Sequence, residues 1–163
     1  MSATIANGAA SAAGKSTHAV GDATRTLATL PQAPYADAIH AELAEAGLPP
    51  QFLELGVEWG AYRVLFLRLV WPPQDDLLGA TACADGLSLR WSHTGGWSAH
   101  TATGSCLLPI VRLAEPLLVV DAAQHYAKHG LLKEWVEPFD ARWTHAGHLD
   151  AALAAWQQRE ASQ

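Results

Sequence analysis

Asp121, His125 and His129 recur at a spacing of four, which on a helix places all three on one face. An i, i+4 histidine pair is the geometry with which helical metalloproteases hold zinc. Here that motif is incomplete. Tyr126 stands where its general-base glutamate would follow the first histidine, and the nearest supplement is His145 with His148 near the start of a later helix. These positions also lie off the apolar stripe of their helix, where a solvated face accounts for them as well. A thiol nucleophile is the other chemistry within reach, through Cys106 and His100 across neighbouring strands, yet no third group is placed to orient the histidine. Gly14-Lys15-Ser16-Thr17 looks like the end of a phosphate-binding loop, but Ala9 occupies the position where such a loop needs its first glycine. The expectation is therefore no catalytic residue, no cofactor and no metal, with Asp121, His125 and His129 as the metal candidates if a small hydrolase-like or metal-dependent enzyme is the right class.

Tryptophan offers a different chemistry. Four of the seven, Trp59, Trp71, Trp91 and Trp97, fall on strands, and core packing is the ordinary reason for an aromatic there. Four on one small sheet, with Trp135, Trp143 and Trp156 besides, exceed what a thin core needs, so one or two are expected on an exposed patch of the kind that makes binding hot spots. Arg90 and His100 share the opposite side of their hairpin with Ser88, Ser92 and Ser98, and join the four tryptophans as candidate binding residues.

The elements that must position these side chains can be read from periodicity. Leu87, Leu89 and Trp91 alternate with Ser88, Arg90 and Ser92, and Trp97 and Ala99 alternate with Ser98 and His100. A three-residue loop, Thr94-Gly95-Gly96, would pair Trp91 with Ala99 and put all the apolar residues on one face. Leu53, Leu55, Val57 and Trp59 form an earlier strand, and a two-residue Gly60-Ala61 turn would set Trp59 opposite Tyr62 and Glu58 opposite Arg63. The partner strand, 62–71, is apolar on both faces and reads as central. A helix opens at Pro34 with the stripe Tyr35, Ala38, Ile39, Leu43 and Ala46, and Gly47 stops it with Leu48 placed to touch Leu43. Glu115-Pro116 opens a second helix with Val119, Ala122, Ala123 and Tyr126 inward, ended by Gly130. Leu149, Ala152, Leu153 and Trp156 define the last. Pro109 confines 106–111 to an edge strand, and the connection 74–85 carries Asp75, Asp76 and Asp85 in a loop long enough to be functional or mobile.

These elements predict an α+β protein of two layers, an antiparallel meander sheet with flanking helices, over residues 34–160. Residues 1–33, poor in large apolar side chains, are expected to be a disordered tail. With 163 residues, 50% hydrophobic content and 16% charged, the chain suffices for one core. A net charge of −6 and only 10 basic residues, nowhere clustered, exclude duplex nucleic acid as a partner. No apolar run approaches the roughly 18 residues that span a bilayer, so no membrane partner and a cytoplasmic location are expected. Cys83 and Cys106 are read as reduced thiols.

The order Tyr35, helix, Ala46-Gly47, strands, Leu87-x-Leu89-x-Trp91, Gly95-Gly96-Trp97 and Leu113-Ala114-x-Pro116 resembles an uncharacterised family of small actinobacterial proteins known as a domain of unknown function, over about residues 35–130. The helix, antiparallel sheet, helix order is also similar to secretion-chaperone and YbjN-like proteins, which act by binding proteins; that likeness is one of fold and transfers no function. From the residues themselves comes the expectation of a non-enzymatic protein-binding adaptor, chaperone-like or inhibitor module, bound to a protein partner or to itself as a homodimer.

Overall fold

The computed structural model describes residues 30–163, so the sequence reading of 1–29, Gly14-Lys15-Ser16-Thr17 included, lies outside the described residues. Five strands follow one another in a single antiparallel meander: β1 (Phe52–Glu58), β2 (Val64–Trp71), β3 (Leu87–Ser92), β4 (Gly96–Thr101) and β5 (Gly104–Leu107). With its helices this makes the α+β architecture that the alternating patterns predicted. Because side chains alternate across a strand, Leu65, Leu67, Leu69, Trp71, Leu87, Leu89, Trp91, Trp97 and Ala99 all turn to one face and are buried. Burial of each such leucine contributes about 1.5–3 kcal/mol.

The helices supply the second layer over that face. Helix α1 (Ala33–Glu45) buries Tyr35, Ala36, Ile39 and Leu43. It ends in a Schellman cap, with Gly47 at φ 74°, its N–H on Ala44 O at 3.1 Å and the Leu48 N–H on Leu43 O at 2.9 Å. Only a residue without Cβ takes that left-handed backbone freely. Helix α2 (Ala80–Cys83) is one short turn, α3 (Pro116–His129) buries Val119, Ala122, Ala123 and Tyr126 as its stripe predicted, and α4 (Ala146–Ala161) buries Leu149 and Leu153. The fold begins earlier than Pro34. Gln32 is fully buried, and its side-chain amide donates to Gly56 O at 3.0 Å and to Phe66 O at 3.1 Å, fastening the chain before α1 to the first hairpin.

Both hairpin registers differ from expectation. In the first, Glu58 lies opposite Val64, one residue away from the predicted register, and a five-residue loop 59–63 replaces the two-residue turn. The predicted register would have set Leu53, Leu55 and Val57 beside Phe66 and Arg68. The observed one sets them opposite Leu69, Leu67 and Leu65, on the buried face, and apolar burial outweighs the local aromatic and ionic pairs of the tight turn. Arg63 instead pairs with Glu160 of α4 at 2.5 Å and stacks 4.1 Å from the Trp59 ring centre. In the second hairpin Trp91 faces Trp97 and Ser92 faces Gly96, so the loop is His93-Thr94-Gly95 and the pairing slips by two residues, which leaves the faces unchanged. His93 is withdrawn from β4 because it bonds β2: its N–H donates to Leu65 O at 3.1 Å, and its Nδ1 accepts the Leu65 N–H at 3.0 Å.

The 74–85 connection is packed. The Gly79 N–H donates to Ala127 O of α3 at 2.8 Å, and a Cβ at residue 79 would come 3.2 Å from Lys128 O, so the two backbones meet at contact distance. Edge strand β5 stops at Leu107, ahead of Pro109. Among the described residues no helix is long and apolar enough to cross a membrane.

Candidate functional site

The sheet divides the sequence-derived candidates between its two faces. Trp91 and Trp97 sit directly opposite each other on the covered face, both edge-on to Tyr35 at centroid distances of 6.0 and 6.2 Å. Their indole N–H groups are used internally, Trp91 Nε1 donating to Arg112 O at 2.8 Å and Trp97 Nε1 to Tyr35 Oη at 3.3 Å, while Tyr35 donates to Ala114 O at 2.7 Å. Trp71 is fully buried in the same layer. These three aromatics are core, since the alternation that put them on strands put them on the inward side. Trp59 is the exception, 75% exposed in the 59–63 loop beside Tyr62 at 84%.

The other face carries Arg90 and His100. Register makes three cross-strand rows there: Glu54, Arg68, Arg90, Ser98 and Leu107; Gly56, Phe66, Ser92 and Gly96; and Phe52, Val70, Ser88, His100 and Ser105. None of these residues is fully buried; Leu107 is 79% exposed at the β5 edge and Phe52 is 50% exposed at the β1 edge. The two arginines stand directly opposite each other on β2 and β3. Arg68 is compensated by Glu54 at 2.9 Å and Glu58 at 3.7 Å and lies 5.7 Å from the Phe66 ring centre. Phe66 in turn covers Gly56, where a Cβ would come 3.1 Å from its ring. Arg90 has no carboxylate partner among the described residues. Between the arginines, Phe66, Ser92, Ser98, Leu107 and the Gly95-Gly96 turn is a shallow depression of about 240 Å³, with Glu58 at its border. Sequence reasoning placed Arg90 on this face and missed Arg68, because the pairing of β2 with β3 runs across a long connection and belongs to neither predicted hairpin.

His100 Nε2 and Ser98 Oγ are 2.8 Å apart. Burial, then Arg90 and Arg68, hold the His100 pKa below its usual value of 6.5, so the ring is neutral at pH 7. A hydroxyl on a neutral imidazole is half of a nucleophile–base pair. The residues opposite His100 are Ser88 and Ser105, hydroxyls where an orienting carboxylate would be needed. Cys106 is on the inward face, its thiol donating to the Tyr126 hydroxyl at 3.4 Å, so the sheet separates it from His100.

Asp121, His125 and His129 do share one face of α3, yet two of them are engaged by the segment that follows the helix. Asp121 Oδ2 accepts the Trp135 Nε1–H at 2.8 Å, and His125 Nε2 donates to Lys133 O at 2.7 Å. The His125 and His129 rings are 4.9 Å apart. Among the described residues no group of three or more His, Cys, Asp and Glu side chains is placed to hold a metal ion. His145 and His148 instead border a mostly apolar groove of about 490 Å³ with Pro31, Pro34 and Trp143.

No family model, no curated protein and no solved structure matches the chain. The chemistry of its two faces is what bears on function.

Proposed function

We propose that this chain is a protein-binding module that receives its partner on the open face of the sheet and performs no chemistry there. The observation that carries the reading is the direct opposition of Arg68 and Arg90 on that face. Like charges directly opposite in an antiparallel pair are destabilising; Glu54 and Glu58 compensate Arg68 alone, which leaves Arg90 as the charge that a negative group of a partner would neutralise. Phe52 and Leu107 at the two edges and Trp59 with Tyr62 at the hairpin tip add exposed apolar area of the kind found in interface cores. Membership of the small actinobacterial family, resting on Leu87-x-Leu89-x-Trp91, Gly95-Gly96-Trp97 and Leu113-Ala114-x-Pro116, belongs to the same proposal, as do self-association and a cytoplasmic site of action.

The test is site-specific photocrosslinking in the native host, with the photoreactive residue at Leu107 on the open face or at Glu45 on α1. A discrete protein adduct from Leu107 and none from Glu45 is expected. Absence of a protein adduct from Leu107, or the same adducts from both positions, would overturn the reading.

A further inference from the structure

Building on the open-face reading, we infer that the partner presents an acidic, partly apolar segment whose carboxylate is taken by Arg90 beside Ser98. Charge decides the ligand class. Of the two opposed guanidiniums, Arg68 is answered by Glu54 and Glu58 from β1, whereas Arg90 has no carboxylate among the described residues and is exposed at the middle of the sheet. A guanidinium with free donors binds a planar carboxylate through two parallel hydrogen bonds. The neighbouring strand β4 contributes a hydroxyl on the same face, Ser98 directly opposite Arg90. His100 holds Ser98 in place through the 2.8 Å bond.

The apolar part of the preference comes from what borders the arginine. In its own row Ser98 is followed by Leu107, 79% exposed, and Phe66 lies in the adjacent row on β2. A segment that alternates carboxylate and apolar side chains meets Arg90 with one and Leu107 or Phe66 with the other. Glu54 and Glu58 flank the β1 side and repel a uniformly acidic segment there. The depression spans β2 to β5 with Glu58 at its β1 border, so the carboxylate is received at the Arg90 and Ser98 end, away from Glu58.

The experiment is fluorescence anisotropy with a fluorescein-labelled peptide alternating Glu and Val, and the Gln-for-Glu peptide as control. Expected are saturable binding of the acidic peptide that weakens with added NaCl, no binding of the Gln peptide, and a loss of about tenfold or more in Arg90→Gln, the scale of a hydrogen bond to a charged group. Arg159→Gln, on α4, should bind as the unmodified chain does. Arg90→Gln, at an exposed position without an ion pair, should leave the melting temperature unchanged, so a binding loss without a loss of stability is the signature. Equal binding of the two peptides, or equal binding by Arg90→Gln, would overturn the inference. Crosslinking from Leu107 that persists in Arg90→Gln would leave the open-face reading standing and remove only the acidic chemistry. A dimer in light scattering that becomes a monomer in Arg90→Gln would show a second copy as the occupant and likewise overturn the acidic partner.

Discussion

At the scale of single residues, the tryptophans separate by what their indole N–H meets. Trp91 donates to Arg112 O, whereas the Trp71 N–H is buried and finds no acceptor among the described residues. Replacing Trp91 by Phe leaves that carbonyl unpaired and loses the bond; replacing Trp71 by Phe removes a donor that gained nothing. An unsatisfied buried polar group costs about 1–3 kcal/mol, so Trp91→Phe should destabilise by at least ~1 kcal/mol more than Trp71→Phe in urea unfolding. Equal losses would show that the Trp91 bond contributes nothing. Trp59→Ala, at an exposed position, should cost no more than about 1 kcal/mol, the scale of its cation–π contact with Arg63, which separates its role in contact from any role in the core.

Among elements, α1 and α3 were legible in the sequence because each carries its own punctuation, whereas the single turn of α2 fell inside the stretch 74–85 read as a loop. Pro34 and Gly47 bound α1, and Pro116 and Gly130 bound α3, all of it within a few residues of chain. Hairpin registers were less legible, since they are decided by non-local burial: Leu53, Leu55 and Val57 follow Leu65, Leu67 and Leu69 inward at the expense of a tight turn. The candidate site was legible in part for the same reason. Arg90 and His100 follow from alternation within one hairpin, but Arg68 faces Arg90 only once β2 is laid against β3, a pairing across the 72–86 connection. That connection has its own requirement. Gly86 has φ 69°, and a Cβ there would lie 2.9 Å from Pro73 Cδ and N, while Gly47 has φ 74° with nothing within 4 Å of its absent Cβ. Gly47→Ala should cost about 1–2 kcal/mol, the left-handed backbone alone. Gly86→Ala should cost a further ~1–3 kcal/mol for overpacking against Pro73. Chemical denaturation of the two variants checks the order, and Gly86→Ala no worse than Gly47→Ala would mean that the connection yields freely.

For the molecule as a whole, the opposed arginines and the buried His93 make stability a function of pH. His93 is held below its usual pKa of 6.5, first by burial and then by Arg112, whose guanidinium donates to the His93 carbonyl at 2.8 Å. Its environment is closed by Leu65 of β2, which donates to Nδ1, and by Trp156 of α4, edge-on at 5.6 Å. His100 is lowered as well, by burial and then by Arg90 and Arg68. For both histidines the unfolded chain takes up a proton near pH 6.5 while the folded chain resists it, so between the folded pKa values and 6.5 the unfolded state binds more protons. Their contribution is complete above about pH 6.5 and is lost as pH falls through the folded values. Protonating His93 also removes the lone pair that receives the Leu65 N–H and places a charge beneath α4. The urea midpoint should therefore drop between pH 7.5 and 5.5. In His93→Gln, where an amide oxygen can accept the Leu65 N–H without titrating, the drop should be shallower. A slope in His93→Gln equal to that of the unmodified chain would move the pH dependence off this histidine and onto His100 and the open face, where Arg90→Gln, by removing the charge that helps hold His100 neutral, should flatten it instead.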